Sequence, residues 1–341
     1  MPNREHPPAA SALPAVTLSV VVPVYNEAAV IGDFHRRLAA VLDALDVPGE
    51  IVYVNDGSRD DSGRRLRAFA DADARVVAID FSRNFGKEVA MTAGLDHAAG
   101  DAVIVIDSDL QDPPELIPDM LRAWQGGADV VLMRRASREG ESWFKKASAS
   151  AFYRFIGSIG ELEIPADVGD FRLLSRRAVE ALRQMPERTR FMKGMFAWVG
   201  FDQVTIDYQR DARFAGETKW NYWRLWNLAL EGITSFSSAP LKLASYVGLA
   251  TAIYALGAGV YVFGKALLFG DPVAGYPSLM VTMLFLGGVQ LIALGIIGEY
   301  LARMFVEIKG RPLYLLSGLY RRRSAPLDAQ DTRPDDGGAA P

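Results

Sequence analysis

Between residues 17 and 135 the hydrophobic positions follow two alternating periods. Short β-branched runs at Leu18–Val22, Glu50–Val54, Val76–Asp80, Ala102–Ile106 and Asp129–Met133 predict strands. Several are continuously apolar rather than alternating, the pattern of a parallel sheet covered on both faces. Between them Glu27–Leu45, Asp60–Asp71, Gly86–Ala98 and Pro114–Gln125 carry the period of amphipathic helices. This succession predicts a doubly wound α/β layer. Ligands of such layers bind beyond the carboxyl ends of the strands, where strand order reverses.

A different pattern begins near residue 243. Leu243–Gly264 is 22 residues without a charge, bounded by Lys242 and Lys265, and Pro272–Gly298 is 27 more, bounded by Asp271 and Glu299. A helix of about 20 residues crosses a hydrocarbon core of about 30 Å, so each run is long enough to span. Soluble core helices, the alternative, seldom run so far without a charge. The short Phe269–Tyr276 turn joins the runs into a hairpin whose two ends share one side of the membrane. Lys309, Arg311, Arg321, Arg322 and Arg323 follow the second span, whereas the connecting loop carries only Asp271. The positive-inside rule therefore puts both ends, and the first 240 residues, in the cytoplasm.

Composition narrows the chemistry. With no cysteine, a net charge of -4 and 50% hydrophobic residues, the chain is neither a disulfide scaffold nor a cysteine-ligated metal protein, and it lacks the basic footprint of a nucleic-acid binder. The histidines, at 6, 35 and 97, have no ligand spacing, so no zinc site is expected. There is no internal repeat, no Gly-x-Gly-x-x-Gly after the first strand and no Walker loop, which argues against dehydrogenase and P-loop readings.

Three strand ends offer polar groups to one sheet edge: Pro23-Val24-Tyr25-Asn26-Glu27, Asn55-Asp56-Gly57-Ser58, and Asp107-Ser108-Asp109-Leu110-Gln111-Asp112. One such turn is ordinary capping chemistry; three on one edge point to a site. Asp107 and Asp109 leave a buried strand one residue apart and suit Mg²⁺ or Mn²⁺, which take carboxylate oxygens together with substrate phosphates.

With Phe81-Ser82-Arg83-Asn84-Phe85-Gly86-Lys87-Glu88 and Asp107–Glu115 added, the set resembles the family 2 glycosyltransferases of GT-A fold. Within them it is similar to the polyprenyl-phosphate group that holds dolichyl-phosphate mannose synthases and bactoprenol glucosyltransferases. Glu187–Gly194, Arg213–Trp220 and the two-span hairpin are similar to that group as well, so the resemblance covers about residues 17–320. One departure is Asn55, where relatives often have a second aspartate before Asp56.

The resemblance implies a Rossmann-like GT-A catalytic domain over 17–219, after a loose 1–16 tail, with a C-terminal two-helix transmembrane hairpin. Juxtamembrane interfacial helices would occupy 220–241, the transmembrane region 242–308 with spans at about 243–264 and 276–298, and a cytoplasmic tail 309–341. Trp220, Trp223 and Trp226 recur every third position and suit a buried helix face as well as an interfacial one. The chain would then be a multi-pass protein of the cytoplasmic membrane.

The implied reaction moves a sugar from a nucleotide diphosphate sugar to a polyprenyl phosphate. Donor binding falls to Pro23, Tyr25, Asn26 and Glu27, to Asp56 and Lys87, to Asp107 and Ser108, and to Arg213 and Lys219. Asp107 and Asp109 would hold the metal, with Asp109 the foremost ligand, and Gln111 would contact the sugar or the acceptor phosphate. That acceptor, with a second pKa of about 6, is already an oxyanion and needs cations more than a base. Arg172, Arg190 and Lys193 are the candidates, and Asp170 is an orienting carboxylate or a residual base. Phe191–Phe196 reads as core. Glucose carried by UDP is the foremost donor, with mannose, aminoarabinose and N-acetylhexosamine open. A processive polysaccharide synthase would need further motifs before its spans, and a non-catalytic nucleotide-sugar-binding subunit is the non-enzyme alternative. Gly287, Gly288, Gly295 and Gly298 suit packing within the hairpin or between copies in a homo-oligomer.

Overall fold

In the computed structural model, which describes residues 17–135, 168–188, 190–209, 239–269 and 275–322, the apolar runs form the middle of an eight-stranded sheet. β1 (Leu18–Val24) is buried along its whole length and pairs in parallel with β2 (Gly49–Asn55) and β4 (Ala102–Val105). β2 pairs in parallel with β3 (Val76–Phe81). The chain thus moves outward from β1 to β3 and returns to β4 on the other side of β1, so strand order reverses at the β1/β4 boundary.

Alternate residues of β1 serve opposite faces. Leu18, Val20 and Val22 pack with α1 (Ile31–Asp43), α2 (Ser62–Ala72) and α4 (Ile117–Gln125), through Phe34, Leu66 and Met120 among others. Val21 belongs to the opposite layer, with α3 (Lys87–His97), α5 (Arg176–Arg183) and α6 (Met192–Trp198). The closest approach is at Gly94, where an added Cβ would stand 2.1 Å from Val21 Cγ1. Helices on both faces make the layer doubly wound, as its periodicity predicts.

The sheet is not parallel throughout, and this corrects the expected simple succession. β5 (Val130–Arg135) does not lie beside β4, because β6 (Val168–Ser175) enters between them antiparallel to both. Asp170 and Arg172 interrupt the apolar run of β6, which conceals it from hydrophobic periodicity. Running backwards, β6 begins at the edge where β4 ends, and so brings Gly169 and Asp170 to the site. β7 (Gln203–Tyr208) closes that side, parallel to β5.

Two long helices follow, α7 (Ala239–Phe269) and α8 (Tyr276–Lys309), packed on each other. Within them Phe285–Lys309 is long and apolar enough to cross a membrane, and it is not buried in the protein. α8 ends on Gly310, whose φ of 65° makes a left-handed cap. The chain then returns to the sheet: β8 (Leu316–Arg321), within the stretch expected as tail, pairs antiparallel with β3. The expected N-terminal tail, the tryptophan repeat at 220–226 and the residues from 323 onward lie outside the described residues.

Candidate active site

An open cleft of about 350 Å³ lies over the carboxyl ends of β1, β2 and β4, at the strand-order reversal. Pro23, Tyr25 and Glu27 line it from β1, Asp56 from β2, and Asp107, Ser108 and Asp109 from β4. Asn84, Gly86, Lys87 and Ala90 complete it from the β3–α3 loop and α3. Three separated stretches of sequence expected to share an edge therefore do.

The loops are tied to one another by hydrogen bonds. The Asn26 N–H donates to Ser58 Oγ at 3.0 Å, the Arg59 N–H to Asn26 Oδ1 at 2.8 Å, and the Glu27 N–H to Ser62 Oγ at 2.9 Å. Asn26 has φ 56° and Leu110 φ 61°, a left-handed conformation that is costly for leucine. Both lie in turns leaving the strands that flank the reversal.

Asp56 is buried and accepts the Phe85 N–H at 2.6 Å and the Gly86 N–H at 3.0 Å. Burial raises its pKa, against the lowering effect of those two backbone donors. Gly57, with φ 63°, allows the neighbouring loop to pass where a Cβ would sit 2.4 Å from the Arg83 carbonyl carbon. Asp56 thus anchors the loop that presents Lys87 as well as lining the cleft. The departure at Asn55 has a local reason. Its Nδ2 donates to Asp80 Oδ1 at 2.9 Å while its Oδ1 accepts the Ser58 N–H at 3.0 Å, and an ionised aspartate could not make the first bond.

At the centre, the Lys87 ammonium lies 2.6 Å from Asp107 Oδ1, 2.8 Å from Asp107 Oδ2 and 2.5 Å from Asp170 Oδ2. Burial alone would lower the Lys87 pKa; the two carboxylates outweigh it and hold the ammonium above its ordinary value. Burial would likewise raise Asp170, but Lys87, then Lys193 and Arg172, keep its carboxyl well below the usual range. The other oxygen of Asp170, Oδ1, is buried without a hydrogen-bond partner. Next to Lys87, Glu88 accepts the Met192 N–H at 3.1 Å, and burial followed by the Asp170 charge pushes its pKa up to about 7.

The three expected acceptor cations separate. Arg172 and Lys193 line one small cavity with Phe196, beside Asp170. Arg172 is 3% exposed, lies 4.0 Å over the Phe196 ring and donates to the Gly169 carbonyl at 2.7 Å. Burial lowers its pKa to about 10. Arg190 instead feels Asp96, Glu187 and Glu307. Met192, Met195 and Phe196 are core, as expected. Gln111 is buried and its N–H donates to Asp109 Oδ1 at 3.1 Å, so it shapes the Asp109 turn. Arg213 and Lys219 lie outside the described residues.

The donor chemistry fits a hard divalent cation. Asp107 and Asp109 offer oxygens to the same cleft, Asp107 already binds one cation in the Lys87 ammonium, and Asp170 keeps a buried oxygen unsatisfied. Among the described residues no cluster of three or more His, Cys, Asp or Glu side chains forms a cage, so further ligands would come from substrate or water. The sequence reading singled out Lys87 but passed over Asn84, Gly86 and Glu88. All three stand in the Phe81–Glu88 motif, from which the resemblance implied a donor role for Lys87 alone.

Comparison with known proteins identifies the family. The sequence profile of glycosyl transferase family 2 matches residues 19–183, and that of the GtrB C-terminal hairpin matches residues 239–304. An uncharacterized glycosyltransferase of Synechocystis sp. is 49% identical over 92% of this chain and 98% of its own length. The prophage-derived bactoprenol glucosyl transferase of Shigella flexneri is 48% identical over 89% of this chain and 98% of its own. Among solved structures, glucosyl-3-phosphoglycerate synthase of Mycobacterium tuberculosis, in complex with Mn²⁺, UDP-glucose and phosphoglyceric acid, is 20% identical, with a TM-score of 0.45 over 64% of this chain and 78% of its own.

Proposed function

The chain belongs to glycosyl transferase family 2, and from that premise we propose that it transfers glucose from UDP-glucose to undecaprenyl phosphate or a similar polyprenyl phosphate at the cytoplasmic membrane face. The product is a polyprenyl-phosphate-linked monosaccharide for modification of cell-envelope glycans. The observation that carries this reading is the Lys87 ammonium shared by Asp107 and Asp170, in a cleft at the strand-order reversal. The site gathers cationic and anionic groups for two phosphorylated substrates. The choice of lipid acceptor and of glucose draws on the bactoprenol glucosyl transferase relatives at 48% identity.

The donor would lie along Pro23, Tyr25 and Asp56, its diphosphate toward Asp107, Asp109 and Lys87. A divalent cation, Mg²⁺ or Mn²⁺, on Asp107 and Asp109 would supply the positive charge that stabilises a diphosphate leaving group. Lys193 draws in the acceptor phosphate and offsets the repulsion between two phosphorylated partners. Arg172, enclosed under Phe196, acts on that phosphate through its field and by holding Asp170 ionised. An acceptor oxyanion attacks the anomeric carbon, a C–O bond forms, and the bond to the diphosphate oxygen breaks with its electron pair leaving on UDP. Attack opposite the leaving group inverts the centre, so an α-linked donor gives a β-linked lipid phosphate. The lowered pKa makes Asp170 a poor base and favours its orienting role on Lys87.

The hairpin of α7 and α8 would hold the enzyme in the membrane with two spans. Its orientation is supported by Lys309 at the end of α8, by Arg311 just after it, and by the return of β8 to β3, which keeps that helix end on the catalytic domain's side.

The test is to incubate the purified protein in detergent with undecaprenyl phosphate, Mg²⁺ or Mn²⁺ and a panel of UDP- and GDP-sugars, and to read lipid-linked products by mass spectrometry. A glucosyl product from UDP-glucose that is lost with Asp109→Ala or with chelator supports the proposal. A product from another donor alone replaces the sugar. Nucleotide binding without any product returns the chain to the non-catalytic alternative.

A further inference from the structure

The Lys87 ammonium occupies the position of a cation. It bridges a carboxylate from the end of β4 and one from the start of β6, and it touches both oxygens of Asp107. A divalent ion on Asp107 would face this ammonium at close range, and like charges so near repel strongly in a half-enclosed cleft. The ammonium can leave Asp107 at little cost only when another anion arrives to receive it. Lys87 opens α3, and Asp56 pins the preceding loop through Phe85 and Gly86, so the lysine stem starts from a fixed base at the cleft wall. The four-carbon stem is flexible and the side chain is 43% exposed, which leaves the ammonium able to swing toward incoming phosphate.

We infer that Lys87 is a placeholder for the divalent cation: it neutralises Asp107 and Asp170 in the empty enzyme, and turns to the donor diphosphate when metal and nucleotide enter together. This rests on the metal assignment above and deepens it. The device explains how Asp107 and Asp170 can stand on either side of one position before any substrate arrives. It also makes metal binding and donor binding conditional on each other, and by linkage each raises the affinity of the other by the same factor.

The test is Mn²⁺ binding to the full-length protein in detergent, followed by the electron paramagnetic resonance signal of free Mn²⁺, with and without UDP. Wild type is expected to bind Mn²⁺ weakly alone and at least about tenfold more tightly with UDP. Lys87→Met is expected to bind Mn²⁺ alone about tenfold more tightly than wild type and to gain less from UDP, whereas Lys87→Arg keeps the wild-type pattern. If Lys87→Met fails to fold with two unpaired carboxylates, Lys87→Met combined with Asp170→Asn keeps the bare Asp107 and is expected to show the same tightening. Equal Mn²⁺ affinity of wild type and a folded Lys87 variant without UDP overturns the placeholder and leaves the metal assignment standing. Failure of every variant to bind Mn²⁺, with or without UDP, overturns both.

Discussion

The ring of Tyr314 stacks on Phe81, with centroids 5.1 Å apart and planes 18° from parallel. Phe81 in turn meets Phe85 edge-on at 5.6 Å, and the Phe85 N–H holds Asp56. The segment that leaves the second long helix therefore buttresses the loop that carries Lys87. The Tyr314 hydroxyl adds a hydrogen bond to Asp96 Oδ2 at 3.0 Å. Tyr314→Ala removes both contacts and is expected to lower stability by about 2 kcal/mol, read as a lower thermal midpoint in detergent. Tyr314→Phe keeps the stack and should lose less than half of that.

Asn55 marks a second point where local structure decides identity. Asp80 accepts from Asn55 Nδ2 at 2.9 Å and from Arg67 at 2.5 Å, and Asn55 and Asp80 are both buried. Asn55→Asp sets two carboxylates against each other and is expected to cost about 2 kcal/mol at pH 8. At pH 5 the loss should shrink, because a shared proton restores a donor between them. Adding Asp80→Asn should recover much of the stability at pH 8. Thermal midpoints of the three proteins at both pH values check the ordering.

The contrast between β1 and β6 explains what could be read from the chain. β1 is continuously apolar, and so are the buried parts of β2, β3 and β4, because helices cover both faces. Their periodicity, and the polar turns after three of them, located the cleft. β6 is as central to the sheet, yet the charged Asp170 and Arg172 stand in it, and that charge erased its apolar signature. β8 was hidden for a different reason: Leu316, Ser317 and Tyr320 form an edge strand with little burial, and only pairing with β3 defines it. The same logic applies to individual groups. Asp107 and Asp109 were legible as a pair because they leave an apolar strand one residue apart, whereas the ion pair of Lys87 with Asp170 spans 83 residues and depends on the reversed strand.

Glu88 makes stability depend on pH. Burial and the Asp170 charge raise its folded pKa to about 7, against partial compensation from the Met192 N–H, Lys87 and Lys193. A carboxyl raised on folding is protonated in the folded state while the unfolded chain has already ionised. The native state is therefore penalised progressively as pH rises from the ordinary carboxyl range to about 7, and the penalty is constant above that. Glu88→Gln retains an acceptor for the Met192 N–H and removes the titration. Its thermal midpoint should match wild type near pH 4.5 and exceed it at pH 8. Equal midpoints at both values would show that Glu88 ionises freely.

Lys193 and Arg190 are close in sequence but face different charges, and this predicts different kinetics. Lys193 lies in the field of Asp170 and Glu88 and lines the small cavity with Arg172. On the proposed reaction it would attract a phosphate entering beside the cleft. Arg190 is surrounded by Asp96, Glu187 and Glu307, the last of these on α8, so its charge is engaged where the catalytic domain meets the helix end. Lys193→Ala is expected to raise KM for undecaprenyl phosphate about tenfold, the worth of one partly screened charge contact, with little change in UDP binding. Arg190→Ala should lower the thermal midpoint and leave the KM values for donor and acceptor nearly alike in their change. Steady-state kinetics with each substrate varied in turn separates the two. If Arg190→Ala alone raised the acceptor KM, the phosphate would enter along the α8 side of the domain and not past Phe196.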